Sequence, residues 1–329
     1  MKTPQFWRRE SKSVLPLLLA PAAWLYGAGS RLHRSMQRSE AVEVPVICVG
    51  NVVAGGAGKT PAAVAIAQLF IAEGKRPHFL TRGYGGRLKG PVRVVLDVHQ
   101  FSDVGDEALI LAETAPTWVA ADRVAGARAA AKAGADVVIM DDGFQNPSLR
   151  KDFSLLVIDA DYGVGNGRLL PAGPLRESLA AGLARSDAVI LVGGITESNV
   201  FNRLNSNTDV FTSHIVPKPA TEELSGEKVV AFAGIGRPEK FFETLKFAGC
   251  DLMDSFSYPD HHVYNKDEIM IMVERAAALE AALVTTRKDY VRLAANEKMM
   301  VAVFDVEMNF ANPGALRSML LSLLKTPAA

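Results

Sequence analysis

Lys59 and Thr60 close a glycine-rich turn, Gly55-Gly56-Ala57-Gly58, between an apolar run at Val44 to Val49 and a helical pattern over Pro61 to Glu73. Strand, glycine-rich turn, Lys-Thr and helix together describe a phosphate-binding loop. Glycines have no Cβ, so the backbone can curl with its N–H groups turned inward around phosphate oxygens. The helix N-terminus adds partial positive charge at the same point. Gly55 to Pro61 would cradle a nucleotide, with Lys59 on the β- and γ-phosphates and the Thr60 hydroxyl on Mg²⁺. The strict spacing asks for glycine five residues before Gly58, where this chain has Val53. A turn that binds nothing would need neither strand nor helix, and both fall where the motif requires them.

Three acidic groups stand at places where chemistry is done. Asp141-Asp142 ends the apolar run Asp136 to Met140, as a Walker B carboxylate does when it orders Mg²⁺. Gly105-Asp106-Glu107 is a second acidic pair. A kinase needs a base near its acceptor hydroxyl, and Asp106 or Glu107 is a candidate. From spacing alone the pair reads more simply as the acidic first turn of a helix. Asp260-His261-His262 follows a Tyr-Pro turn. Adjacent histidines point in different directions and HExxH spacing is absent, so zinc is not expected. A loop histidine beside an acid can orient another carboxylate. Gly163-Val164-Gly165-Asn166-Gly167-Arg168 and Gly234-Ile235-Gly236 lack dinucleotide-fingerprint spacing. The phosphate loop is similar to the deviant loop of partitioning ATPases, but those carry a second lysine where this chain has Ala54.

The elements around these groups alternate. Strands are expected at Pro77 to Leu80, Val92 to Leu96, Trp118 to Ala121, Phe153 to Ile158 and Ala188 to Val192, with Asp122 capping a helix Arg123 to Ala133. Such alternation implies an α/β fold, a mostly parallel sheet covered by helices on both faces. With 329 residues, a second, smaller α/β domain is expected. The polar, Asn-rich stretch Thr196 to Pro219 marks the boundary: a core over 39–217 and a C-terminal domain over 218–329. In the latter, Val301 to Val306 reads as a strand and Pro313 to Lys325 as an amphipathic helix.

Charge and composition narrow the partners. Equal numbers of basic and acidic residues, 36 each, argue against nucleic acid. Cys48 and Cys250 make neither a zinc pattern nor a disulfide framework. Residues 1–38 differ from the rest. Val14 to Gly29 is apolar but for Tyr26, with Lys2, Arg8, Arg9 and Lys12 before it and Arg31, Arg34 and Arg38 after. Sixteen helical residues reach ~24 Å, short of the ~30 Å hydrocarbon core, and Pro16 and Pro21 oppose a straight span. The segment is expected to dock on a membrane surface.

The segments GNVVAGGAGKTP, TRGYGGR, GDEALIL, DDGFQ, GNGRLLPAGPLRE, FAGIGRPEKFF, YPDHH and VTTRKD run in order from Gly50 to Asp289. Together they resemble the tetraacyldisaccharide 4′-kinase family of lipid A biosynthesis. The resemblance implies a P-loop fold with the site between two domains. It implies ATP- and Mg²⁺-dependent phosphorylation of a tetraacylated glucosamine disaccharide 1-phosphate at the cytoplasmic face of the inner membrane, with no obligate protein partner. It assigns nucleotide to Lys59 and Thr60, and the metal region to Thr60, Asp141, Asp142 and Glu107. It makes Asp106 the general base, tuned by His261, and offers Tyr84, Arg123, Gln145, Asn166, Arg168 and Arg176 for substrate phosphate or sugar. Asn146 stands where the family usually has His after DDGFQ. Thr285-Thr286-Arg287-Lys288-Asp289 replaces the family's TTEKD and is read as lying away from the chemistry. A P-loop carrier ATPase and a catalytically silent nucleotide-binding scaffold are the alternatives. Ala54 and the Asp106-Glu107 pair oppose the first; intact Lys59, Thr60 and Asp141 oppose the second.

Overall fold

The computed structural model describes residues 4–193 and 208–324. Its larger sheet has nine strands. They are β1 (Val46–Gly50), β2 (Pro77–Thr81), β3 (Val92–Arg93), β4 (Thr117–Val119), β5 (Val137–Asp141), β6 (Phe153–Asp159), β7 (Ala188–Val192), β8 (Asp209–Pro217) and, from the chain's end, β13 (Val306–Phe310). The order is β13-β8-β7-β6-β1-β5-β2-β4-β3, parallel except where β13 and β3 pair antiparallel at the two edges. The smaller sheet is fully parallel, ordered β10 (Asp251–Ser257), β9 (Lys228–Ala233), β11 (Ala282–Thr286) and β12 (Ala302–Phe304).

The central strands are continuous apolar runs because helices cover both faces. One face packs on the helix Lys59–Ala72 through Ala62, Ala63, Ile66 and Phe70, and on the helix Pro313–Leu323 through Leu316 and Leu320. The other packs on the helix Arg123–Lys132 through Val124, Ala127 and Ala130. Asp122 caps that helix by accepting from the Val124 and Ala125 N–H groups. The central strand β1 lies between β5 and β6, with Val49 in register with Asp141. This pairing puts the phosphate loop beside the acidic end of β5. The carboxyl ends of such strands are where open α/β sheets bind ligands.

Two expectations change. The series of strands does not close at β7. Part of the polar stretch, residues 194–207, lies outside the described residues, but Asp209–Pro217 forms β8. The C-terminal stretch does not stay in the smaller domain either. The run read as one strand over Val301 to Val306 splits at Asp305 into β12 and β13. Residues 306–324 return to the larger sheet, where Met308 joins the core of the first face.

The N-terminal apolar run also divides, into a short helix Leu15–Leu18 and a longer one, Ala20–Met36. Pro16 and Pro21 sit in their first turns, where no backbone N–H is needed. Among the described residues no helix is long and apolar enough to cross a membrane.

Candidate active site

A cleft of about 1500 Å³ opens between the two sheets. The phosphate loop forms its floor. Gly58 has φ 84°, a left-handed conformation suited to glycine, and it starts the helix at Lys59. The Lys59 Nζ lies 3.5 Å from the Gly55 carbonyl and 3.7 Å from Asp142. The Thr60 hydroxyl donates to Asp141 Oδ2 at 3.0 Å. Gly55 through Pro61 all line the cleft.

Asp141 is 3% exposed, and its Oδ1 has no hydrogen-bond partner among the described residues. Burial, with Glu107 and Asp142 nearby, pushes its pKa up to about 7 against Lys59 and Thr60. A buried carboxylate with an orphaned oxygen beside a threonine hydroxyl fits a divalent cation. Magnesium usually takes one or two carboxylates, with water and phosphate completing its shell. The fuller metal set read from the sequence is not assembled as one cage. Among the described residues no three His, Cys, Asp or Glu side chains are placed to hold a metal ion. Asp142 is held by Arg176 at 2.9 and 3.1 Å, and Glu107 by Lys288 at 3.3 Å. Desolvation works against the Asp142 charge, but Lys59 and Arg176 outweigh it and hold its pKa below the usual range. Asp142 has φ 52°, a conformation that non-glycine residues adopt at a cost of roughly 1–3 kcal/mol.

Asp106 opens the helix Asp106–Ala112 and is 3% exposed. His261 comes from the other sheet's loop, also with positive φ, at 60°. Its Nδ1 lies 2.9 Å from Asp106 Oδ2. The cleft is lined by His261, with Asp106 behind it. Burial raises the Asp106 pKa, but His261, Lys288 and Arg292 outweigh it and hold the carboxyl well below the usual range. An ionised carboxylate only accepts, so Nδ1 donates to it and neutral His261 keeps its lone pair on Nε2.

The substrate candidates divide. Tyr84, Arg123, Gln145 and Arg176 line the cleft. Tyr84 is 65% exposed, and its ring lies 5.2 Å from that of His261. Arg123 is buried, its Nε without a partner among the described residues, and burial beside Arg82 draws its pKa down to about 10. Arg176 and Gln145 bond to each other at 3.2 Å. Asn166 and Arg168 are not brought to the cleft. The Asn166 amide donates to the Phe6 and Ala172 carbonyls, at 3.0 Å each, and Arg168 is exposed. The Asn166 side chain therefore ties down the N-terminal segment rather than facing substrate.

The TTRKD segment does not lie away from the chemistry. Lys288 sits 3.3 Å from Glu107, 3.6 Å from Asp260 and 3.4 Å from His261 Nε2. Asp289 accepts from Tyr264, Thr286 and the Gly234 N–H, and pairs with Arg292 at 3.0 Å. Arg292 binds Asp106 through Nε at 2.8 Å and through Nη2. Arg237 bonds Asp159 and reaches the Gly56 carbonyl at 3.4 Å. Neither arginine stands out in the sequence as a site residue, because the partners are 186 and 78 positions away. The one available signal was the charged spacing Arg287-Lys288-Asp289 with Arg292 after a strand.

The surroundings of this cleft have known counterparts. The sequence profile of the LpxK family, tetraacyldisaccharide-1-P 4′-kinase, matches residues 15–325. The tetraacyldisaccharide 4′-kinase of Paramagnetospirillum magneticum is 49% identical over 318 residues, covering 96% of this chain and 97% of the relative. That of Parvibaculum lavamentivorans is 50% identical over 298 residues, covering 89% and 87%. A crystal structure of LpxK from Aquifex aeolicus in complex with ATP superposes with a TM-score of 0.75 and 26% identity, covering 94% of this chain and 99% of that one. With both the profile and these relatives spanning nearly its whole length, the chain belongs to the tetraacyldisaccharide-1-P 4′-kinase family.

Proposed function

We propose that the protein transfers the γ-phosphate of ATP to the 4′-hydroxyl of a tetraacylated glucosamine disaccharide 1-phosphate, giving lipid IVA. The carrying observation is the His261–Asp106 pair at 2.9 Å, set across the same cleft as the phosphate loop. A hydrolase that only turns over ATP needs a positioned water; a kinase also needs a base beside its acceptor. The ATP complex of the Aquifex aeolicus relative supports nucleotide in this cleft.

Thr60 and Asp141 would hold Mg²⁺, which when bound neutralises charge on the β- and γ-phosphates. Lys59 leaves its weak contacts with Gly55 and Asp142 and places its ammonium on the transferring oxygens. Arg176 keeps Asp142 paired as Lys59 moves. On the acceptor side, the hydroxyl proton passes to His261 Nε2 while Nδ1–H remains bonded to Asp106. The two side chains act as one base, and Arg292 keeps the carboxylate ionised and aimed. Since Asp106 and His261 come from different domains, closure of the smaller domain over the cleft assembles the pair.

The helix Ala20–Met36 exposes Trp24, Leu25, Leu32 and Met36, beside Leu17 and Leu18 of the preceding turn. Such a face suits the membrane interface, where a tetraacylated acceptor resides. The protein would then work peripherally on the cytoplasmic side of the bacterial inner membrane, where ATP is available. The test is transfer from γ-labelled ATP to the disaccharide, with the product's phosphorylated position determined. Label at the 4′ position is expected; ATP turnover that leaves the acceptor unlabelled would overturn the assignment.

A further inference from the structure

The segment 163–177 fastens to the N-terminal helices on one side and to the phosphate loop on the other. At its start, the Asn166 amide donates to the Phe6 carbonyl at 3.0 Å and its backbone N–H to Trp7 at 2.8 Å. The Trp7 indole returns a bond to the Pro171 carbonyl at 3.1 Å. In its middle, a Cβ on Gly27 would stand 2.6 Å from Leu169, so the helix Ala20–Met36 lies with its backbone against the segment. At its end, Glu177 accepts from Arg34 of that helix at 2.7 Å.

The other attachments are to the nucleotide side. The Ala54 N–H donates to the Pro174 carbonyl at 2.7 Å, and the Arg176 N–H to Val52 at 2.8 Å. Arg176 holds Asp142, which faces Lys59. Glu177 joins the two sides: Oε2 takes Arg34, while Oε1 takes the Gln145 amide at 3.1 Å, and Gln145 in turn bonds Arg176.

We propose that segment 163–177 couples the N-terminal helices to the phosphate loop, with Glu177 as the positioning residue. Seating of the helix Ala20–Met36 on a lipid surface is carried through Arg34 and Glu177 to Gln145 and Arg176, and so to the Asp142–Lys59 pair. The coupling rests on the nucleotide-binding and membrane-docking parts of the function proposed above. It requires that a lipid surface change nucleotide affinity, and that nucleotide change affinity for the surface by the same factor. Glu177 is 5% exposed and is also paired with Arg185. Arg185 bonds the same Oε2 as Arg34, so loss of Arg34 leaves the buried carboxylate with a cationic partner while cutting its tie to the helix Ala20–Met36.

The experiment measures mant-ATP affinity of the full chain with and without phosphatidylglycerol vesicles, and vesicle affinity with and without ATP. In the wild type both affinities should rise together, on the order of tenfold. Arg34→Met should abolish the mutual effect while still binding vesicles and mant-ATP separately, and Arg34→Lys should restore most of it. Equal coupling in the wild type and Arg34→Met, or no vesicle effect in the wild type, would overturn the proposal. A wild type that binds no mant-ATP at all would defeat the nucleotide reading and the coupling with it. Wild-type coupling without phosphate transfer to the disaccharide would leave the coupling standing and defeat the kinase assignment alone.

Discussion

Lys59 has two partners, neither at strong hydrogen-bond distance, while Asp142 already has Arg176. A lysine held so loosely is free to answer the charge that spreads over the γ-oxygens during transfer. Lys59→Ala should lower kcat by ~10²-fold or more, as loss of a preorganised donor does. A folded variant within threefold of wild type would exclude Lys59 from the chemistry. Arg292 presents the opposite case. Its side chain is 1% exposed and lies between Asp106 and Asp289, 3% and 0% exposed. Arg292→Met leaves two buried carboxylates short of a cation, at a cost of roughly 3–5 kcal/mol. Chemical denaturation should show that loss. An unchanged midpoint would mean that the pair adds nothing to joining the domains. Lys59 was legible because its motif is local. Arg292 was not, because its importance comes from a carboxylate far away in sequence. Asn166 was misread for a related reason: its partner Phe6 lies 160 positions earlier.

Among the elements, those with local signals were readable. Asp122 caps its helix as its type suggests, and the phosphate-loop strand and helix lie where the apolar pattern puts them. The strand β8 was hidden because it is only partly buried and reads as polar linker. The strand β13 was hidden because Val306 continues the apolar run of the preceding strand; pairing with β8 reveals the change of sheet. The N-terminal helices carry an exposed apolar face with basic residues around it. Each basic residue near an anionic surface contributes roughly 1 kcal/mol at low salt. Deleting residues 1–38 should release the protein from anionic vesicles, and high salt should partly mimic the deletion. Co-sedimentation of the truncated chain equal to that of the full chain would place the anchor elsewhere.

For the molecule as a whole, the two sheets meet where their functional groups do. The larger sheet supplies Lys59, Thr60, Asp141 and Asp106; the smaller supplies His261, Lys288 and Arg292. The change of composition near Thr196 to Pro219 suggested two α/β units, but the return of residues 306–324 to the larger sheet left no such mark. That return makes the smaller sheet an insertion with both its ends tied to β8 and β13, a geometry suited to hinged closure. The central claim is that Asp106 and His261 act across this junction as one base. The direct measurement is a double-mutant cycle on kcat at saturating ATP and acceptor, with thermal unfolding as the check on folding. Asp106→Ala and His261→Ala should each slow transfer, on the order of 10²–10⁴-fold. The double variant should be little worse than the more damaging single one, because residues acting as a unit are non-additive. Fully multiplicative losses in folded variants would show that the two side chains work independently, and would contradict the cross-domain base.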